Sequence, residues 1–103
     1  MRRVKFYIGL TYSTSTDQIK NIVTEIQEMI NKHEKTNEEG KVRFQEFGAS
    51  SLDILVIYYV DSPKWEDLID VKEDINYKIM DIVKKHNSDF AFPSTSVYLH
   101  QNN

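Results

Sequence analysis

The chain has 103 residues, with 40% hydrophobic and 28% charged side chains and only three Gly and two Pro, a composition that fits one compact folded domain. It contains no cysteine, which excludes disulfides, thiolate catalysis and cysteine-ligated zinc or iron–sulfur centres. A net charge of −3, with Arg2, Arg3 and Lys5 as the only local basic cluster, argues against nucleic acid as a partner, because that affinity comes from releasing phosphate counterions through clustered Lys and Arg.

The longest apolar run, near residues 54–60, falls far short of the roughly 20 residues that cross a bilayer, so no direct membrane insertion is expected. The start of the chain alternates like a strand and lacks the apolar core of a secretion signal.

From residue 4 to 12, Val4, Phe6, Ile8, Leu10 and Tyr12 occupy every second position, the period of a strand with one buried face. Ser15, Thr16 and Asp17 then precede a helical pattern, with Ser15 and Gln18 at capping-box spacing. Ile19, Ile22, Val23, Ile26, Met29 and Ile30 form its apolar stripe. The polar stretch 33–40, with Asn37 and Gly40 as turn formers, predicts that the helix ends near His33. Val42 and Phe44 alternate with Arg43 and Gln45 in a second strand, and the turn Gly48-Ala49-Ser50-Ser51 joins it as a hairpin to a third at 52–60.

That third strand is apolar on both faces, as expected of a central strand or of one whose second face meets a partner. Ser62-Pro63 predicts the start of a second helix, with Ser as cap and Pro at the first helical position. Leu68, Val71, Ile75, Ile79, Ile82 and Val83 line its buried side. Residues 90–93 and 96–100 are extended, separated by Pro93.

The order β-α-β-β-α-β predicts an α+β fold, a ferredoxin-like two-layer sandwich over residues 1–93, with 94–103 as an extra C-terminal strand. If Val4, Phe6, Ile8, Leu52, Ile54 and Val56 face the helices, Tyr7, Leu55, Ile57 and Tyr59 point to the open face. Those four are candidate interface residues. Val97 and Leu99, left as one apolar face after Pro93, are candidates for an inter-subunit strand.

Little in the sequence suggests catalysis. His33, His86 and His100 show no i, i+3 or i+4 pairing, so no metal is expected, and His33 and His86 fall near helix C-termini, where they complement the dipole. Glu66-Asp67 and Glu73-Asp74 fit a solvated helix face, on which Asp70, Asp74, Lys78 and Asp81 recur. Glu38-Glu39 lacks the regular ligand spacing of a calcium loop. There is no Gly-x-Ser-x-Gly elbow. Residues 48–51 could form an anion nest, although a tight hairpin turn needs the same residues and is the preferred reading. Trp65 is read as anchoring the second helix on the sheet, with an exposed interface Trp as the alternative. No enzyme activity and no cofactor are expected.

The run Val42-Arg43-Phe44-Gln45-Glu46-Phe47-Gly48-Ala49-Ser50-Ser51-Leu52-Asp53 resembles the hairpin of the C-terminal domain of MscS-type small-conductance mechanosensitive channels. Arg2-Arg3-Val4, Ile8-Gly9-Leu10 and Tyr12 resemble that family's preceding strand, and Phe90-Ala91-Phe92-Pro93 with Val97 its closing segment. Thr95 departs from the pattern, where Pro or Gln is common.

The resemblance implies a homo-oligomer, a heptamer in the best-known members, forming a hollow vestibule at the cytoplasmic face of the inner membrane. Its last strands close a small β-barrel. The domain's partners would be other copies of itself and the channel's own membrane and β domains, and its work would be assembly and solute access during ion transport under osmotic stress. Two rivals share the fold order. An acylphosphatase-like enzyme would need an Arg and an Asn around a phosphate loop, and Tyr12-Ser13-Thr14-Ser15 supplies no Arg. A regulatory or RNA-binding module lacks aromatic RNP motifs here.

Overall fold

A computed structural model describes residues 1–91, so the expected strand at 94–103, with Val97, Leu99 and His100, lies outside the described residues. Five elements follow in order: β1 (Arg2–Leu10), α1 (Thr16–Lys32), β2 (Lys41–Phe47), β3 (Leu52–Val60) and α2 (Trp65–Lys85). The class is α+β, a three-stranded antiparallel sheet in the order β1-β3-β2 with two helices.

The predicted capping box starts α1. Ser15 Oγ accepts from the Gln18 amide at 3.2 Å, and Gln18 Oε1 accepts from the Ser15 amide at 2.8 Å. Gln18 Nε2 also donates to the carbonyls of His86 (2.7 Å) and Asn87 (3.2 Å), fastening the start of α1 to the end of α2. Asn87 takes a left-handed conformation (φ 59°), which Asn tolerates better than most residues and which turns the chain back toward β1.

The start of α2 differs from expectation. The helix begins at Trp65, with Lys64 as an N-cap that makes no side-chain bond, and Ser62-Pro63 lies ahead of it. The Ser62 hydroxyl is taken up in a local turn: it accepts the Lys64 amide at 3.2 Å and donates to Asp67 Oδ2 at 2.6 Å.

The core lies between the sheet and the helices. Val4, Ile8 and Leu10 of β1, Val42 of β2 and Leu52, Ile54, Val56, Tyr58 and Val60 of β3 pack with Ile22, Ile26, Ile30, Val71, Ile75 and Ile79. Each such aliphatic side chain contributes about 1.5–3 kcal/mol when fully buried. Phe6 meets Tyr58 edge to face.

Gln27 of α1 covers the outer edge of β2. Its Oε1 accepts the Val42 amide at 2.9 Å, and its Nε2 donates to the Gly40 carbonyl at 3.0 Å. The other edge, along β1, begins to pair with the chain leaving α2: Thr11 N–H donates to the Asp89 carbonyl and Ala91 N–H to the Gly9 carbonyl, with Phe90 opposite Leu10. A buried Thr14–Ser88 hydroxyl bond of 2.8 Å holds the same corner.

Candidate functional site: the open face of the sheet

The strands alternate as read from the sequence. Val4, Ile8, Leu52, Ile54 and Val56 are buried and Phe6 is half-buried, all toward the helices. Tyr7 (48% exposed) and the half-buried Leu55, Ile57 and Tyr59 belong to the opposite face. No described element covers that face.

Strand register places cations around this apolar centre. Ile57 sits between Lys5 of β1 and Lys41 of β2, Leu55 between Tyr7 and Arg43, and Tyr59 opposite Arg3. Among the described residues none of these four cations is paired with a carboxylate, whereas Lys35, Lys78 and Lys85 all are. Arg43 instead donates to Gln27 Oε1 (3.2 Å) and the Val42 carbonyl (2.7 Å). Asp53, opposite Gly9 and Glu46, makes only one end of the face acidic. Sequence reading found the apolar residues and missed their basic frame. The signal was available, since Arg3, Lys5, Lys41 and Arg43 share the outward parity of their strands, but only the register shows that they flank the same three side chains.

Elsewhere the polar clusters serve packing. His33 Nε2 lies 2.8 Å from Asp74 Oδ2, and His86 Nε2 lies 2.8 Å from Glu25 Oε1, so each histidine caps one helix and holds a carboxylate of the other. The hydrogen bond from His33, then that from Lys78, holds Asp74 below the usual carboxylate range. His86 and then Lys85 do the same for Glu25. In the 48–51 segment the Gly48 amide donates to the Ser51 carbonyl at 2.7 Å, and Ser51 Oγ donates to Asp53 Oδ1 at 2.6 Å, the bonding of a closed hairpin turn.

Trp65 does not anchor α2 on the sheet. It is the first residue of the helix and is 62% exposed. It joins Ile69, Tyr77 and Met80, all exposed on the outer side of α2. A separate apolar cleft of about 430 Å³ opens between α1 and the hairpin, lined in part by Tyr12, Ile19, Val23, Phe44, Phe47 and Leu52. Lys20 is its one ionisable side chain apart from the Tyr12 phenol, so it holds no acid–base pair. Among the described residues no helix is long and apolar enough to cross a membrane.

These features define a small α+β domain whose helices cover one side of an antiparallel sheet and leave the other side uncovered. Residues 4–90 match the family model described as the C-terminal domain of the mechanosensitive ion channel MscS. The chain belongs to this family. It is 48% identical over 100 residues to an uncharacterised MscS family protein of Aquifex aeolicus, covering 95% of this chain and 27% of that protein. It is 35% identical over 102 residues to the small-conductance mechanosensitive channel MscMJ of Methanocaldococcus jannaschii, covering 99% and 29%. With the low conductance mechanosensitive channel YnaI of Escherichia coli the identity is 34% over 100 residues, covering 95% and 29%. The chain thus spans less than a third of the length of these relatives. The cryo-EM structure of Arabidopsis thaliana MSL1 superposes with a TM-score of 0.78 at 19% identity, covering 89% of this chain and 34% of that one, a likeness of fold.

Proposed function

We propose that this domain is the cytoplasmic vestibule part of a mechanosensitive channel, non-catalytic, supporting assembly of a homo-oligomer and solute access to its pore. The relatives named as mechanosensitive channels support the ion-transport role. The observation that carries the assembly role is the uncovered sheet face, where Tyr7 is exposed and Leu55, Ile57 and Tyr59 are half-buried with no described element over them, an apolar patch of the kind that marks contact surfaces. A heptamer at the cytoplasmic face of the inner membrane, with the channel's own membrane and β domains as neighbours, is the arrangement we adopt from the family resemblance. Residues 94–103, including Val97 and Leu99, complete the proposal as an inter-subunit barrel strand.

The test is Leu55→Asp with Ile57→Asp in the full-length protein. Detergent-extracted particles should lose their oligomeric state, and cells relying on this channel should lose protection against a sudden drop in osmolarity. Unchanged assembly and protection would make the face a bystander.

A further inference from the structure

Two surfaces of this chain have apolar centres that no described element covers, and they differ in the charges that border them. On the sheet, the apolar row Leu55, Ile57 and Tyr59 is framed by Arg3, Lys5, Lys41 and Arg43, and Ile57 has a lysine on either side. On the outer side of α2, Ile69, Tyr77 (58% exposed) and Met80 (57% exposed) form an apolar stripe beginning at Trp65. Glu66, Asp70 and Glu73 stand beside that stripe, exposed and without a salt bridge among the described residues. By contrast Asp67 and Asp74, on the inner flank of the helix, are occupied by Lys35 and by His33 and Lys78. The four cations around the sheet row are without a salt bridge among the described residues, and the α2 stripe is bordered by three such acids together with Lys64 and Lys72, so acids outnumber bases there by three to two.

We infer that the open sheet face of one copy docks on the outer face of α2 of the next copy, a head-to-tail contact. This rests on the reading that the sheet face is a subunit contact, and it names the surface that meets it. The sheet row is short enough to lie within the stripe: Trp65 to Met80 spans about 22 Å at the rise of an α-helix, and Leu55 to Tyr59 about 13 Å at that of a strand. Because the patches differ and lie on opposite layers, one copy cannot satisfy both in a two-fold dimer. Each copy offers one patch forward and one backward, and such a contact closes into a ring when its rotation divides the circle. Lys5 and Lys41 would meet Asp70 and Glu73, so that correct pairing gains opposite charges and a sheet-to-sheet pairing is opposed by like ones.

The experiment is a charge exchange in the full-length channel, read as the oligomeric state of detergent-extracted particles by native mass spectrometry. All four residues are exposed, so the folded domain should tolerate the changes, and circular dichroism checks this. Lys5→Glu with Lys41→Glu, and separately Asp70→Lys with Glu73→Lys, should each lower the assembled fraction about tenfold or more, as several like-charge contacts would. The combined four-residue exchange should restore it.

Failure of the combination to restore assembly overturns the inference. If the sheet variants weaken assembly and the α2 variants do not, the face meets something else, such as the channel's other domains, and the inference falls while the proposed function stands. If neither pair has an effect and Leu55→Asp with Ile57→Asp is also silent, both fall.

Discussion

His33 closes α1 and places its Nε2 2.8 Å from Asp74 Oδ2 in the middle of α2, while His86 closes α2 and reaches Glu25 of α1 at the same distance. Each helix is therefore fastened at its C-terminal end to the middle of the other by the same device, used in opposite directions. Both carboxyls are held below their ordinary range, chiefly by the histidine bond. A folded value below the unfolded one means that the contribution is present above the unfolded carboxylate range, near about 4, and is lost as pH falls through the folded values. Urea titrations from pH 7 to pH 2 should show the midpoint dropping in that acid window. In Asp74→Asn with Glu25→Gln the midpoint should be lower at pH 7 and the acid drop flatter. An unchanged acid slope would assign the pH dependence to other groups.

Tyr58 is fully buried near the C-terminal end of β3, and its hydroxyl has no hydrogen-bond partner among the described residues. Burial pushes its pKa up to about 12. Tyr58→Phe removes an unsatisfied polar atom and keeps the edge-to-face contact with Phe6, so it should stabilise by about 1 kcal/mol. Because the folded pKa is raised, the wild-type chain should also lose stability as pH rises through the range from about 10 to about 12, where only the unfolded phenol ionises. The Phe variant should lack that component. Destabilisation by Tyr58→Phe in urea denaturation would show that the hydroxyl is satisfied after all.

Gln27 satisfies two backbone groups on the free edge of β2, and its Oε1 also holds Arg43. Gln27→Ala should cost about 1–3 kcal/mol, the range for stranding partly buried backbone partners. It should also increase aggregation on concentration, since an uncovered edge offers a ladder to other chains. Chemical denaturation and light scattering measure the two effects separately, and stability unchanged within about 0.5 kcal/mol would mean that water replaces the amide.

Removal of residues 95–103 tests the proposed barrel strand. Pro93 cannot donate to a ladder that continues from Phe90 and Ala91 on the edge of β1, and on that ground the segment beyond is proposed to act between subunits. The truncated full-length channel should keep the helix content of this domain while assembling or gating poorly. Unfolding of the truncated domain itself would instead make the segment the fourth strand of its own sheet.

Much of this was legible in the residues because it is local. Alternation in 2–10 and 52–60 decides which side chains face the helices, and the Ser15–Gln18 capping box needs only four neighbouring residues to form. Other features depend on partners far apart in the chain. Gly40 reads as a turn former, yet its φ is not positive. Its role is to let the backbone pass close to β3, where a Cβ would lie 2.6 Å from the Ile57 carbonyl oxygen. Ser62 departed from expectation for a local reason instead: its hydroxyl is taken up by the Lys64 amide and Asp67, two and five residues on, and the helix begins only at Trp65. The basic frame around Ile57 needed the pairing of β3 with both β1 and β2. Periodicity assigns a residue to a face, but only register, which depends on contacts between distant segments, brings Lys5 and Lys41 to either side of one isoleucine.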